Sequence, residues 1–201
     1  MIDLIAKGGV LVIPILFCSI VATAVFLERL IRYAAFCRRG RGLAEKITGL
    51  LRQGQEQTAV DLARESGCPI GRVLTQAMEV GPNDRETLET VLVHATEEEV
   101  RYLSRYLNVL ATVGNIAPLL GLLGTVIGMI KAFMVIQEMG GKVNAAILAG
   151  GIWEAMLTTA IGLSVALPTI VAHSYLIGRV DAFEARLQNG CVLFLKTLAG
   201  K

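Results

Sequence analysis

The sequence predicts an all-α integral membrane protein with three transmembrane helices, the second and third very long and extending into a helical cytoplasmic domain. Three observations predict it. Hydrophobic residues make up 54% of the chain and mean hydropathy is +0.60, too apolar for a soluble domain of about 200 residues. Three stretches are long and apolar enough to cross a bilayer. Elsewhere apolar residues recur at helical spacing, and no alternating strand pattern is present. A net charge of +2, without a basic run interleaved with aromatics, sets nucleic-acid binding aside. Cys18, Cys37, Cys68 and Cys191 show neither C-x-x-C spacing nor a histidine at metal-ligand distance, so no metal and no cofactor is expected.

Residues 1–9 form a short polar start. The first span is placed at 10–28, where only Ser19 and Thr23 interrupt the apolar run from Val10 to Leu27. A cleaved signal peptide would carry its positive residues before the run, whereas Arg29, Arg32, Arg38, Arg39 and Arg41 follow it. The same arginines place the N-terminus outside and the next segment inside. Pro14 sits near the outer end, where a proline costs little.

A cytoplasmic helical domain is expected over 29–106. Leu43, Ile47, Leu50 and Leu51 mark one helix, and Ala59, Leu62 and Ala63 a second; Gly67, Cys68 and Pro69 break the chain. A third runs through Val73, Leu74, Ala77 and Met78 to Gly81 and Pro82. Asn83 and Glu86 form a capping box. No breaker lies between Asp84 and Leu107, so this helix is expected to run unbroken into the second span, 107–137. Glu97, Glu98 and Glu99 read as a solvated face, with Glu97 and Arg101 as an i,i+4 pair. A periplasmic turn at 138–144, centred on Gly140, Gly141 and Lys142, leads to the third span, 145–178. That span is longer than a bilayer requires. Its continuation, 179–201, carries Phe183, Leu187, Cys191, Phe194 and Leu198 as one apolar stripe, expected to pack against neighbouring helices.

Chemistry concentrates in the last two spans. Gly114, Pro118, Gly121, Thr125, Gly128 and Ala132 recur at steps of four and three, as do Gly151, Ala155, Thr159, Gly162, Ala166, Thr169 and His173. Leu against Leu gains nothing in lipid, so membrane helices associate through small residues; Gly121, Gly124, Gly128 and Gly162 are the packing candidates, Gly124 and Gly128 as a G-x-x-x-G. Thr125 and Thr159 each stand about 17 residues from Lys142 and reach similar depth in an antiparallel hairpin. Either hydroxyl could instead bond its own backbone, and Thr158 lies nearer the stripe of Glu154 than Thr159 does. Glu154 costs on the order of 3 kcal/mol in mid-membrane and needs a partner, a proton or water. Lys131 either snorkels to the interface or pairs with Glu154, whose mirror position across the hairpin is near residue 130. Pro118 frees a carbonyl inside the second span. His173, without an evident partner, reads as structural, and His94 belongs to a solvated helix.

Here the chain resembles a known family, the MotA/TolQ/ExbB proton channel proteins, most closely the ExbB/TolQ branch. The residues that carry the likeness are APLLGLLGTVIGM from Ala117 to Met129, GIWEAMLTTAIGL from Gly151 to Leu163, and the proline of ALP at Pro168. The motifs cover the C-terminal half, and the layout fits the whole chain. The resemblance implies a homopentamer whose second and third helices line a central pore around the membrane helices of a smaller, single-span ExbD/TolR-like partner, whose membrane aspartate carries the proton. It implies Thr125 and Thr159 as pore hydroxyls, Glu154 as the polar residue beside the proton path, and Pro118 and Pro168 as helix shapers. It further implies a motor in the bacterial inner membrane that passes the proton motive force to a TonB- or TolA-like transducer. Trp153 beside Glu154 and the short N-terminus depart from the pattern modestly, and three visible spans rather than four fit a MotA stator less well. Alternatives are a Tol-Pal-type envelope or gliding motor subunit and a non-conducting membrane scaffold. An enzyme is not expected, since P-loop, H-E-x-x-H and nucleophile-elbow motifs are all absent.

Overall fold

The computed structural model describes residues 10–40, 42–80, 85–138 and 145–199, without the side chains of 35–39 and 145–148. Among the described residues there are seven helices and no strand: α1 Val12–Arg39, α2 Leu43–Arg52, α3 Glu56–Glu65, α4 Pro69–Val80, α5 Arg85–Ser104, α6 Leu107–Glu138 and α7 Ala145–Ala199. The first nine residues, Asn83 of the capping box and the turn at Gly140 to Lys142 lie outside the described residues. Parts of α1, α6 and α7 are long and apolar enough to cross a membrane: Val12–Ala34, Leu107–Glu138 and Ala149–Ala199. With 55 residues, α7 rises about 82 Å, well beyond the ~30 Å of a hydrocarbon core.

The chain divides into two compact units. One takes the chain up to Leu27 together with Tyr106–Tyr175, and the other Glu28–Arg105 with Leu176–Lys201. In the second unit, short amphipathic helices bury Leu43, Ile47 and Leu51 of α2, Ala59 and Ala63 of α3, and Val73, Leu74 and Ala77 of α4 around one core. Leu88, Leu92 and Ala95 of α5 and Leu187, Cys191 and Phe194 of α7 complete it. The stripe read from Phe183 onward is therefore a packing face. Gly190 permits the close approach, since a Cβ there would stand 2.7 Å from Ile70 Cδ1 and 3.3 Å from Ala44 Cβ. Arg72 of α4 ties this helix to α5 through two hydrogen bonds to Glu99, at 2.6 and 2.5 Å. The Glu99 hydrogen bond holds the guanidinium of Arg72 above its ordinary value.

The expectation of one unbroken helix from Asp84 into the second span is corrected. The chain leaves helix after Ser104 and re-enters at Leu107, with Tyr106 in the left-handed region at φ 70°. A bulky side chain rarely adopts that conformation, and no glycine or proline announces it. The break leaves the last carbonyls of α5 without helical donors, and α1 supplies replacements. Arg29, 1% exposed, donates from Nη1 to the carbonyls of Tyr102 and Leu103 at 3.4 Å each. Tyr33 Oη donates to the Leu103 carbonyl at 2.8 Å. Glu28 Oε2 lies 3.0 Å from Arg29 Nε, while Arg32 pairs with Glu28 and with the Tyr102 hydroxyl. A cation at a helix C-terminus also meets the negative end of its dipole.

Candidate functional site: the α6–α7 seam and its charged flank

In the first unit α6 and α7 meet along a seam of small residues. A Cβ on Gly121 would lie 3.0 Å from Thr159 Cα, one on Gly128 2.9 Å from Ala155 Cβ, one on Gly151 2.7 Å from Ala132 Cβ, and one on Gly162 2.6 Å from the Ala117 carbonyl oxygen. Glycine is needed at Gly121 and Gly162 because the opposing atoms belong largely to backbone, which cannot swing aside. This register brings Thr125 and Thr159 within about one turn of the same depth.

The seam differs from the expected face at Thr159 on α7 and at Pro118 and Thr125 on α6, where Ala117 and Gly124 are the buried residues. On α7 the buried residues are Ala155, Thr158, Gly162, Ala166 and Thr169, so Thr158 rather than Thr159 fills the seam, 2% exposed and pressed against Gly124. On α6 Gly121, Gly124 and Gly128 are buried while Thr125 is half-buried beside them. An exact helix of 3.6 residues per turn drifts between steps of three and four, and the bulk of the facing residue decides which lands inside.

Each threonine hydroxyl has a definite partner. Thr159 Oγ1 donates across the seam to the Gly121 carbonyl at 2.9 Å. Thr125 Oγ1 donates to its own Leu122 carbonyl at 2.7 Å, and Thr158 Oγ1 to the Glu154 carbonyl at 2.7 Å. The two threonines singled out by the sequence thus share a region and a helix pair without bonding to each other.

Glu154 stands on the flank of the seam, one turn before Thr158. Its Oε1 lies 3.6 Å from Lys131 Nζ of α6, an ion pair slightly beyond hydrogen-bond length. Of the two readings of Lys131 the structure takes the paired one. The Glu154 side chain is 33% exposed and that of Lys131 57%, so the pair opens on one side. Trp153 beside it is 63% exposed. Both helices continue through their prolines, Pro118 half-buried in α6 and Pro168 exposed in α7; their missing N–H groups leave the Gly114 and Ser164 carbonyls without the usual helical donor. His173 is half-buried. Among the described residues no group of three His, Cys, Asp or Glu side chains could hold a metal. What the sequence reading missed is Arg29: an arginine just past an apolar run counts as a topology signal, and nothing local marks it as a cap for a helix about 70 residues away.

Residues 65–189 match the model of the MotA/TolQ/ExbB proton channel family. The putative biopolymer transport protein ExbB homolog of Methanothermobacter thermautotrophicus is 30% identical over 184 residues, covering 90% of this chain and 64% of that protein. The biopolymer transport protein ExbB of Salmonella typhimurium is 28% identical over 195 residues, 92% of this chain and 78% of that protein. The Tol-Pal system protein TolQ of Haemophilus influenzae is 41% identical over 96 residues, 47% of this chain and 41% of that protein. The chain thus spans somewhat less than two thirds of the Methanothermobacter thermautotrophicus relative's length. The matched region contains α6, most of α7 and the whole seam between them. The two ExbB relatives carry transport names and no catalytic family is indicated; with three membrane-length apolar helices among the described residues, the chain is a multi-pass membrane protein that belongs to the MotA/TolQ/ExbB family, among the ExbB/TolQ biopolymer transport proteins.

Proposed function

We propose that this protein is the proton-channel subunit of an inner-membrane motor that couples the proton motive force to an outer-membrane process such as TonB-dependent transport. The observation that carries the reading is the Lys131–Glu154 pair on the flank of a glycine seam, one turn from the hydroxyls of Thr158 and Thr159. Ionisable groups inside membrane helices are expensive, and they mark ion and proton paths. In this reading the chain forms a homopentamer around a single-span ExbD/TolR-like partner with a membrane aspartate. Thr125, Thr159 and Glu154 border the path, Pro118 and Pro168 shape the helices, and a TonB- or TolA-like transducer receives the work. The arginines after the first span support a periplasmic N-terminus and a cytoplasmic C-terminus.

A Tol-Pal-type role is the second reading, favoured by the higher identity to TolQ over the matched half. The test is proton flux into liposomes holding the protein with its single-span partner, comparing wild type with Thr125→Ala, Thr159→Ala and Glu154→Gln at matched assembly. Flux that needs the partner and falls at least tenfold in Glu154→Gln is expected. Correctly assembled wild-type particles without flux would leave the non-conducting scaffold as the better account.

A further inference from the structure

We propose that Lys131 determines the ion specificity of the Glu154 site, excluding sodium while leaving the carboxylate open to a proton. The inference rests on the channel reading above and adds a residue and a task to it.

Lys131 and Glu154 belong to different helices, and their approach is fixed by the seam. Ala132 packs against Gly151 and Gly128 against Ala155, contacts that allow little sliding. The seam therefore fixes Lys131 and Glu154 as facing residues, and the ammonium lies 3.6 Å from Oε1. At that distance it occupies the place where an alkali cation would sit beside the carboxylate. The pair is also reachable, because both side chains are partly exposed.

A metal ion and a proton meet this arrangement differently. Sodium must shed water and replace it with several oxygens, and it needs the space beside the carboxylate that the ammonium fills; repulsion by the ammonium acts on either cation, so room and coordination make the difference. A proton needs one oxygen lone pair and adds no volume, so it can be taken up with the ammonium still in place. The result is a carboxylate whose cation position is already filled by a group that cannot leave the chain. Arginine would do the same by charge; methionine or glutamine of similar length would not.

The experiment uses the assembled complex with its partner in liposomes, with pH-sensitive dye inside, a fixed inward-driving potential, and outside solutions of choline chloride or sodium chloride. Radioactive sodium uptake is measured on the same vesicles. In wild type and in Lys131→Arg, sodium is expected to leave proton flux unchanged and uptake at background. In Lys131→Met and in Lys131→Gln, sodium uptake relative to proton flux is expected to rise at least tenfold. In each double variant with Glu154→Gln that uptake is expected to return to background. A purely structural role for Lys131 would lower all fluxes together and leave the ratio fixed. Lys131→Met and Lys131→Gln complexes that conduct protons and still exclude sodium would overturn this inference and leave the channel reading intact. Wild-type complexes without proton flux would overturn the channel reading, and this inference with it.

Discussion

Gly162→Ala tests the seam most directly, because a single methyl group there meets backbone. Its carbon would stand 2.6 Å from the Ala117 carbonyl oxygen and 3.2 Å from Gly121 Cα, while ordinary contact begins at 3.4 Å. The helices must therefore part locally by about 0.8 Å, or store the strain. Overpacking of this kind costs about 1–3 kcal/mol. A parting of that size would also stretch the 2.9 Å bond from Thr159 to Gly121 beyond useful length, a loss of roughly 0.6 kcal/mol for a hydrogen bond between membrane helices. Alanine's helix propensity returns about 1 kcal/mol, leaving a net destabilisation of about 0.6–2.6 kcal/mol. Gly178→Ala is the matched control: same helix, same substitution, but nothing within 4 Å of the added carbon, so it should stabilise by up to about 1 kcal/mol. Unfolding in mixed micelles titrated with a denaturing detergent measures both. Thr159→Val should cost little on top of Gly162→Ala if the bond is already lost, which a double-mutant cycle reads. Equal effects of the two glycine substitutions would refute the close approach of α6 and α7 at this point.

Two further substitutions address the break between α5 and α6. Arg29→Met should lower stability by about 3–5 kcal/mol, the cost of breaking a buried charged network by removing one partner, and Arg29→Lys should recover less than half of it because an ammonium has no second nitrogen to keep on Glu28 while the first bonds the Tyr102 and Leu103 carbonyls; thermal unfolding of the full chain in detergent decides. At Tyr106, φ 70° suits asparagine better than a β-branched residue, so Tyr106→Asn should be more stable than Tyr106→Ile by about 1 kcal/mol in the same assay. Indistinguishable midpoints would argue against a left-handed residue there.

How much of this was legible follows from which forces act locally. The helical class was readable because apolar runs and small-residue spacing are properties of single helices. The approach of Lys131 to Glu154 was readable as one of two options, because antiparallel helices joined by a turn fix which residues lie at equal distance from it. The break at Tyr106 was not: left-handed residues are found in sequence by glycine or asparagine, and here a tyrosine adopts the conformation while Arg29 and Tyr33 cap the carbonyls from a distant helix. The choice of Thr158 over Thr159 for the seam was not readable either. Both fit a spacing of three or four from Ala155, and the space left by Gly124 on the other helix selects between them.

That selection bears on function. In lipid the seam is held by close packing and by bonds such as Thr159 to Gly121, and each polar group spent inside it is fixed in place. Thr158, fully packed against Gly124, has a structural task, and a substitution there would disturb assembly before it disturbed any path. Glu154, Lys131 and Thr125 are different. They lie beside the seam, partly exposed, on helices whose mutual register the glycines have already set, so their positions are determined without their own contribution to packing. A polar group that is costly in lipid, held accurately and not needed for the fit of its own helices, is available to a second molecule. For that reason the flank carries the proposed ion chemistry, and the seam behind it supplies its rigidity.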